Sequence, residues 1–435
     1  MIRQPVVAGL FYPDSPVELK TQLKSLIDEN AERADAVGVI MPHAGYIYSG
    51  AVAGTVVSRI QMKDTFIIIG PNHTGQGQPV SIMSSGKWKT ALGEVRIDEI
   101  MAKKILSLCP YLREDTLAHL SEHSIEVQLP FLQFCKPDIK IVPIMLAVSD
   151  PEVLKALGLA IAQAIRETGR ETVILASSDM SHYETQQIVR QKDRQAILAV
   201  LDLDPAELLK RVHEKNISMC GYAPVAAMLW AVAEMGVLKA ELVRYQTSGD
   251  VTGDLSSVVG YAGILVKRLS PLVILAKAAL ETYVNNRKVV EPTELTPEMQ
   301  EQAGVFVCIK KFGELRGCIG TFEPTRNNVA EEIVDNAIGT AVHDPRFDPV
   351  EPSELKDLDY TVDVLTMPQP VKSKDDLDPR KYGVIVAAGR RRGLLLPDLE
   401  GVNTVDEQID ICRQKGGIGP DAAVKLFRFE VKRYH

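Results

Sequence analysis

Three short apolar runs in the first half of this chain each stop at a histidine-bearing loop, and this pattern constrains the fold more than any other feature. Val39-Ile40-Met41 runs into Pro42-His43-Ala44-Gly45-Tyr46, and Ile67-Ile68-Ile69 into Gly70-Pro71-Asn72-His73. Val173-Ile174-Leu175 runs into Ser177-Ser178-Asp179-Met180-Ser181-His182. The wider runs Ala36–Met41, Thr65–Gly70, Ile139–Leu146, Thr172–Ala176 and Val258–Val266 read as strands. Amphipathic stretches separate them, among them Val17–Ala31, Pro151–Thr168 and Tyr183–Leu203. Strand and helix in that rhythm predict an α/β unit with a mostly parallel sheet covered on both faces. Ligands of such sheets bind beyond the carboxyl ends of the strands, so the three loops emerge on one edge and their histidines can converge. The chain has eight histidines in all, which makes three equivalent placements hard to assign to chance. The bland alternative for each is a loop histidine bonded to a nearby carbonyl.

At 435 residues the chain is too long for one ordinary domain. It divides near Lys267–Pro271, which predicts domains at 1–267 and 268–435. In the second, Leu272–Asn286 and Val329–Ala341 read as helices, and Gly304–Lys310, Tyr360–Leu365 and Tyr382–Ala387 as strands. That mixture predicts a smaller α+β domain. A net charge of −8 argues against a general nucleic-acid or anionic-membrane binder. No apolar run approaches the roughly 18 residues of a membrane helix, and the start lacks a signal-peptide core. Six cysteines without a CxxC pair do not make a disulfide framework, so we expect a reducing, cytoplasmic setting.

Two further segments join the histidine cluster. Glu122-His123-Ser124-Ile125-Glu126 adds a fourth imidazole with acidic neighbours. Met219-Cys220-Gly221-Tyr222 places a cysteine just before the apolar helix Val225–Met235, where positive potential favours the metal-binding thiolate. The alternative for Cys220 is a small buried filler. His119 and His213 read as surface or packing residues, and Cys109 and Cys135 as core fillers. In the second domain Arg316-Gly317-Cys318-Ile319-Gly320 reads as a tight glycine-rich loop. Cys318 there is either a nucleophilic or redox thiol, with Arg316 raising its thiolate fraction, or simply part of a turn; His343, beside Asp344 and Arg346, is a candidate to share that site. Arg390-Arg391-Arg392 reads as a solvated hairpin tip, and Gly416-Gly417-Ile418-Gly419 as a turn without the strand–helix setting of a phosphate loop.

The strings GLFYP, MPHAGYIYSG, GPNHTG, EHSIEVQLPFL, SSDMSHY, MCGYAPV and TSGDVTGD occur in order between Gly9 and Asp254. They closely resemble the Memo family across the whole first domain. Leu315-Arg316-Gly317-Cys318-Ile319-Gly320-Thr321 and His343-Asp344-Pro345-Arg346-Phe347 resemble the family of the AMME chromosomal-region protein. Together they look like two components of the AmmeMemoRadiSam system on one polypeptide, which implies a radical SAM protein as partner. The resemblance implies the fold of class III extradiol dioxygenases. It implies a metal site on His43, His73 and Cys220, with Asp179 and His182 beside it and His123 as a proton-transfer candidate. Two imidazoles and a thiolate suit Fe(II) first, and Cu or Zn also. The expected function is a metal-dependent oxidoreductase, dioxygenase-like in fold, acting on an unidentified small molecule or modified residue. A peptide-binding scaffold with a vestigial cleft and a zinc-type hydrolase are the alternatives. Cysteine in place of the dioxygenase glutamate weighs against simple transfer of ring cleavage.

Overall fold

Four strands without an exposed residue in their centres carry the N-terminal unit: β1 (Ala36–Met41), β2 (Thr65–Pro71), β3 (Lys140–Leu146) and β4 (Thr172–Ser177). The computed structural model describes residues 1–399 and 401–434, in two units, Met1–Arg268 and Leu269–His435. Across the sheet the four strands lie in the order β3-β2-β4-β1, and every neighbouring pair is parallel. Continuous apolar runs are what a parallel sheet buried on both faces requires. The last run, β5 (Val258–Arg268), is antiparallel to β1. Nothing in its apolar pattern distinguishes the two directions, because both of its faces are buried.

Helices close both faces. On one, the Cα of Gly38 in β1 lies so near α3 (Tyr222–Ala233) that a Cβ would sit 3.1 Å from the Met228 sulfur. On the other, a Cβ at Gly263 would lie 2.6 Å from Val56 of α1 (Tyr46–Ser58). Val266 pairs with Gly38, so strand alternation sends Gly263 to the opposite face. Helix α2 (Pro151–Thr168) is bounded as its sequence dictates: Asp150 caps it, Pro151 opens it and Gly169 ends it at φ 62°.

The second unit holds two antiparallel sheets. The first runs β7-β6-β8-β12, from β6 (Val305–Lys311), β7 (Glu314–Gly320), β8 (Leu358–Leu365) and β12 (Val431–Tyr434). Val305, Val307 and Ile309 on one face of β6 are fully buried in a core shared with α4 (Pro271–Asn286) and α5 (Val329–Val342). The second sheet joins β9 (Gly383–Ala388), β10 (Arg391–Leu395) and β11 (Lys425–Phe429), packed under α6 (Val405–Lys415). The glycine-rich stretch around Cys318 is strand β7, where a loop was expected. Its glycines serve packing: a Cβ at Gly317 would lie 2.8 Å from the Thr340 carbonyl oxygen of α5. Gly416 and Gly417 do form a turn, and the Arg390 region is the β9–β10 hairpin tip. Among the described residues, no helix is long and apolar enough to cross a membrane.

Candidate metal centre

Strand ends β1 and β2 deliver His43 and His73 to the same place, as the parallel arrangement requires. Their ring centroids lie 5.2 Å apart. His123 completes a triangle, 5.5 Å from His43 and 5.0 Å from His73. One nitrogen from each of these three rings lies within 4.8 Å of the other two, close enough for a single metal ion. Cys220 approaches through His43, its Sγ 3.1 Å from His43 Nε2. His182 stands outside the triangle: its Nδ1 is 2.8 Å from the Ser218 carbonyl oxygen, and its backbone N–H donates to Ser218 Oγ. The third strand-end histidine therefore does not meet the other two. Asp179 is buried beside them, its Oδ1 accepting the His43 backbone N–H at 2.8 Å.

Two of the three imidazoles have a hydrogen-bond partner at Nδ1, and His123 has a carboxylate oxygen near its own. Ser177 Oγ lies 2.9 Å from His43 Nδ1, and Glu122 Oε1 lies 3.0 Å from His73 Nδ1 and 3.3 Å from His123 Nδ1. Ligating histidines are characteristically tethered in this way, which fixes the ring and leaves the other nitrogen for a metal. Glu122 is fully buried and also accepts the backbone N–H groups of His73, His123 and Ser124. Burial alone would raise its pKa, but the His73 hydrogen bond and charge, with Ser124 N–H, hold it down to about 2. Sequence reasoning saw Glu122 only as an acidic neighbour. Its role depends on a partner 49 residues away.

The electrostatics favour neutral donors. Burial pushes His43 well below its ordinary value, with His123 and His73 adding to the effect, and burial also lowers His123. Glu122 raises His73. Burial raises Asp179. Burial, then the Asp179 carboxylate, pushes the Cys220 thiol well up. The helix following Cys220 was expected to favour the thiolate; desolvation outweighs that potential, so a bound cation is what would draw off the proton.

Behind the imidazoles the N-terminal segment is pinned to the Glu122–Glu126 loop. Arg3 and Glu126 form a fully buried ion pair. Glu126 also accepts from Val6 N–H at 2.8 Å, Val7 N–H at 3.1 Å and Tyr12 O–H at 2.8 Å. Arg3 donates to the carbonyl oxygens of Glu122 and His119. Phe11 meets the His123 ring edge-on at 5.0 Å. The GLFYP string thus has a physical role, which is to brace the loop carrying His123.

His119 is a packing residue, fully buried against Trp88 and, among the described residues, without a hydrogen-bond partner for either ring nitrogen. Burial lowers its pKa from 6.5 to about 3. The unfolded chain binds that proton more tightly, so the stability contribution is complete above pH 6.5 and is lost as pH falls towards 3. Between those values it falls by about 1.4 kcal/mol per pH unit. His43 and His123 act in the same sense, whereas the raised His73 acts in the opposite one. Urea denaturation followed by tryptophan fluorescence should show a lower midpoint at pH 5 than at pH 7.5. His119→Leu should flatten that dependence; an unchanged slope would contradict it.

In the second unit, Cys318 is not a free thiol; it is disulfide-bonded to Cys308. Arg316 is also not its neighbour in charge. A bulge between Leu315 and Gly317 directs its guanidinium to Glu354, at 2.9 and 3.1 Å. The residues that reach Cys318 are the neighbours of His343: Asp344 Oδ2 accepts its N–H at 2.8 Å, and Arg346 Nη2 donates to its carbonyl oxygen at 3.1 Å. His343 is exposed.

Comparison with known proteins yields two family matches. The Memo-like protein family matches residues 3–265, and the AMMECR1 family matches residues 273–434. A MEMO1 family protein of Methanococcoides burtonii is 44% identical over 268 residues, covering 61% of this chain and all of the relative. A MEMO1 family protein of Methanopyrus kandleri is 42% identical over 282 residues, covering 62% of this chain and all of the relative. An uncharacterized protein of Pyrococcus horikoshii with a crystal structure is 33% identical, with a TM-score of 0.36, covering 37% of this chain and 88% of its own.

Proposed function

Because the chain belongs to the Memo-like protein family and carries an AMMECR1 domain after it, we propose that its N-terminal unit is a metal-dependent catalyst of the oxidoreductase class. The observation that supports this reading is the triangle of His43, His73 and His123, one nitrogen of each within 4.8 Å of the others, with Cys220 Sγ 3.1 Å from His43 Nε2. His43, His73 and Cys220 would hold the ion. The mixed nitrogen–sulfur set suits Fe(II), with copper or zinc as competitors. When bound, iron or copper would supply electron transfer to a small substrate at the mouth of the site.

The protein's own groups do the rest. Ser177 and Glu122 orient the imidazoles. Asp179 fixes the His43 backbone and, with its pKa raised by burial, can hold a proton close to the site. His123 and His182 are the proton carriers on either side. The dioxygenase-like ancestry and a radical SAM partner belong to this proposal as well, on the strength of the motif resemblance.

The test is metal content. The full chain, purified anoxically and incubated with Fe(II) or Cu, should retain one ion per chain. His43→Ala should lower the retained metal about tenfold or more. Cys220→Ala should also lower it. If Cys220→Ala retains the wild-type amount, the third ligand is His123 instead. A wild-type protein that retains neither metal would refute the proposal.

A further inference from the structure

The C-terminal unit contains a cavity of about 760 Å³ lined from both of its sheets, and the Cys308–Cys318 bond is part of its wall. The placement follows from strand alternation. Val305, Val307 and Ile309 of β6 face the apolar core, so Phe306, Cys308 and Lys310 face the cavity. Cys318 of β7 pairs directly opposite Cys308. Both cysteines are only half-buried, unlike Cys412, which is enclosed in the core of the second sheet. A bond serving the core alone would not need to line a cleft.

The same wall carries more cations than anions, although three of its five cations are ion-paired: Arg346 with Asp344, Arg392 with Glu323 and Arg433 with Asp363. Lys310, Arg346, Arg392, Lys415 and Arg433 line it, against Asp363 and Asp398. Asp363 is already neutralised by Arg433, at 2.8 and 2.9 Å. Arg346 sits beside the sulfur-bearing strand, donating to the Cys318 carbonyl oxygen while Asp344 anchors the Cys318 N–H. The apolar part of the wall comes from Phe306, Ile385, Leu394 and Leu396. A ligand for this cleft would combine an apolar or sulfur-containing body with negative charge.

We propose that this cleft is a thiol–disulfide exchange site for a small anionic disulfide and its thiols, using Cys308 and Cys318 as the exchanging pair. In the reduced protein one cysteine thiolate attacks a sulfur of the small disulfide. The small disulfide's S–S bond breaks, a protein–ligand S–S bond forms, and the first ligand half leaves as a thiolate, which takes up the proton given up by the attacking cysteine. The second cysteine then attacks the protein sulfur of that mixed disulfide. The Cys308–Cys318 bond forms, and the second half leaves as a thiol with the remaining proton. Two electrons pass from the cysteine pair to the small disulfide, and the reverse sequence reduces the pair at the expense of two thiols. The surrounding cations raise the local concentration of the anionic ligand and favour thiolate attack.

The experiment uses the full chain, reduced with a phosphine and desalted anoxically. It is mixed with oxidised glutathione, which is anionic, or cystamine, which is cationic. Samples are acid-quenched and alkylated, and re-formation of the Cys308–Cys318 bond is read by peptide mass. Each rate is divided by the rate for dithiothreitol with the same disulfide. The normalised rate should be about tenfold or more higher for oxidised glutathione at low ionic strength, with the preference collapsing at high salt. The exposed-site variants Lys310→Gln and Lys415→Gln should each reduce that preference severalfold. Equal normalised rates for the two disulfides, or a bond that the phosphine cannot open in the folded chain, would overturn the proposal.

Discussion

Glu126→Ala should destabilise the N-terminal unit by about 3–5 kcal/mol, because it leaves the Arg3 guanidinium fully buried without its counter-charge. The loss goes beyond one ion pair. Glu126 also accepts from Val6, Val7 and Tyr12, so three more donors lose a partner. For a unit of this size each kcal/mol lowers the midpoint temperature by about 2–4 °C, which places the shift on the order of 10 °C. Both tryptophans, Trp88 and Trp230, lie in this unit, and Arg3 stacks on Trp88 at 4.5 Å. Intrinsic fluorescence therefore reports on this unit alone. Replacing both members, Arg3→Met with Glu126→Leu, should recover the part of the loss that comes from the stranded charge, and not the part from the Val6, Val7 and Tyr12 donors. A Glu126→Ala protein that melts within 2 °C of wild type would show that the buried pair contributes little.

Glu122→Gln is expected to weaken metal retention by about 10–100-fold while leaving the fold intact. The neutral amide keeps one accepting oxygen of the same reach for the His123 and Ser124 N–H groups and gives up the one that takes the His73 N–H. It loses the negative charge that raises His73 and makes both rings better donors. Anoxic titration with Fe(II) or Cu, read against the unfolding midpoint of the same variant, separates a lost orienting group from a collapsed loop. Unchanged metal affinity with unchanged stability would leave Glu122 with no part in orienting the rings. Glu122→Ala is a less informative choice, since it also strands the backbone donors of His73, His123 and Ser124.

What the chain disclosed of this arrangement, and what it withheld, follows from range. Helix α2 was legible because Asp150, Pro151 and Gly169 state its limits within a few residues of its ends. The strand-end positions of His43 and His73 were legible for the same reason: an apolar run and the loop after it are adjacent in sequence. The direction of β5 was not, because a fully buried strand looks alike in either orientation. Strand β7 was misread because its glycines suggest a turn until the close approach of Thr340 is known. His182 obeys the same local rule as the other two histidines, yet Ser218 holds its ring away from the triangle. His123, Glu122 and Phe11 enter the centre through contacts made across 49 residues or more, and no local pattern announces such pairings.

One carboxylate holding two imidazoles has a further consequence. His73 and His123 draw on the same Glu122 oxygen, so a proton or cation taken up by one ring changes the grip on the other. A charge gained by one ring is felt by the other, both directly and through the carboxylate they share. Ion uptake at such a centre becomes a matter of exchange: a cation enters as protons depart, and the balance between them sets the acidity at which the centre fills.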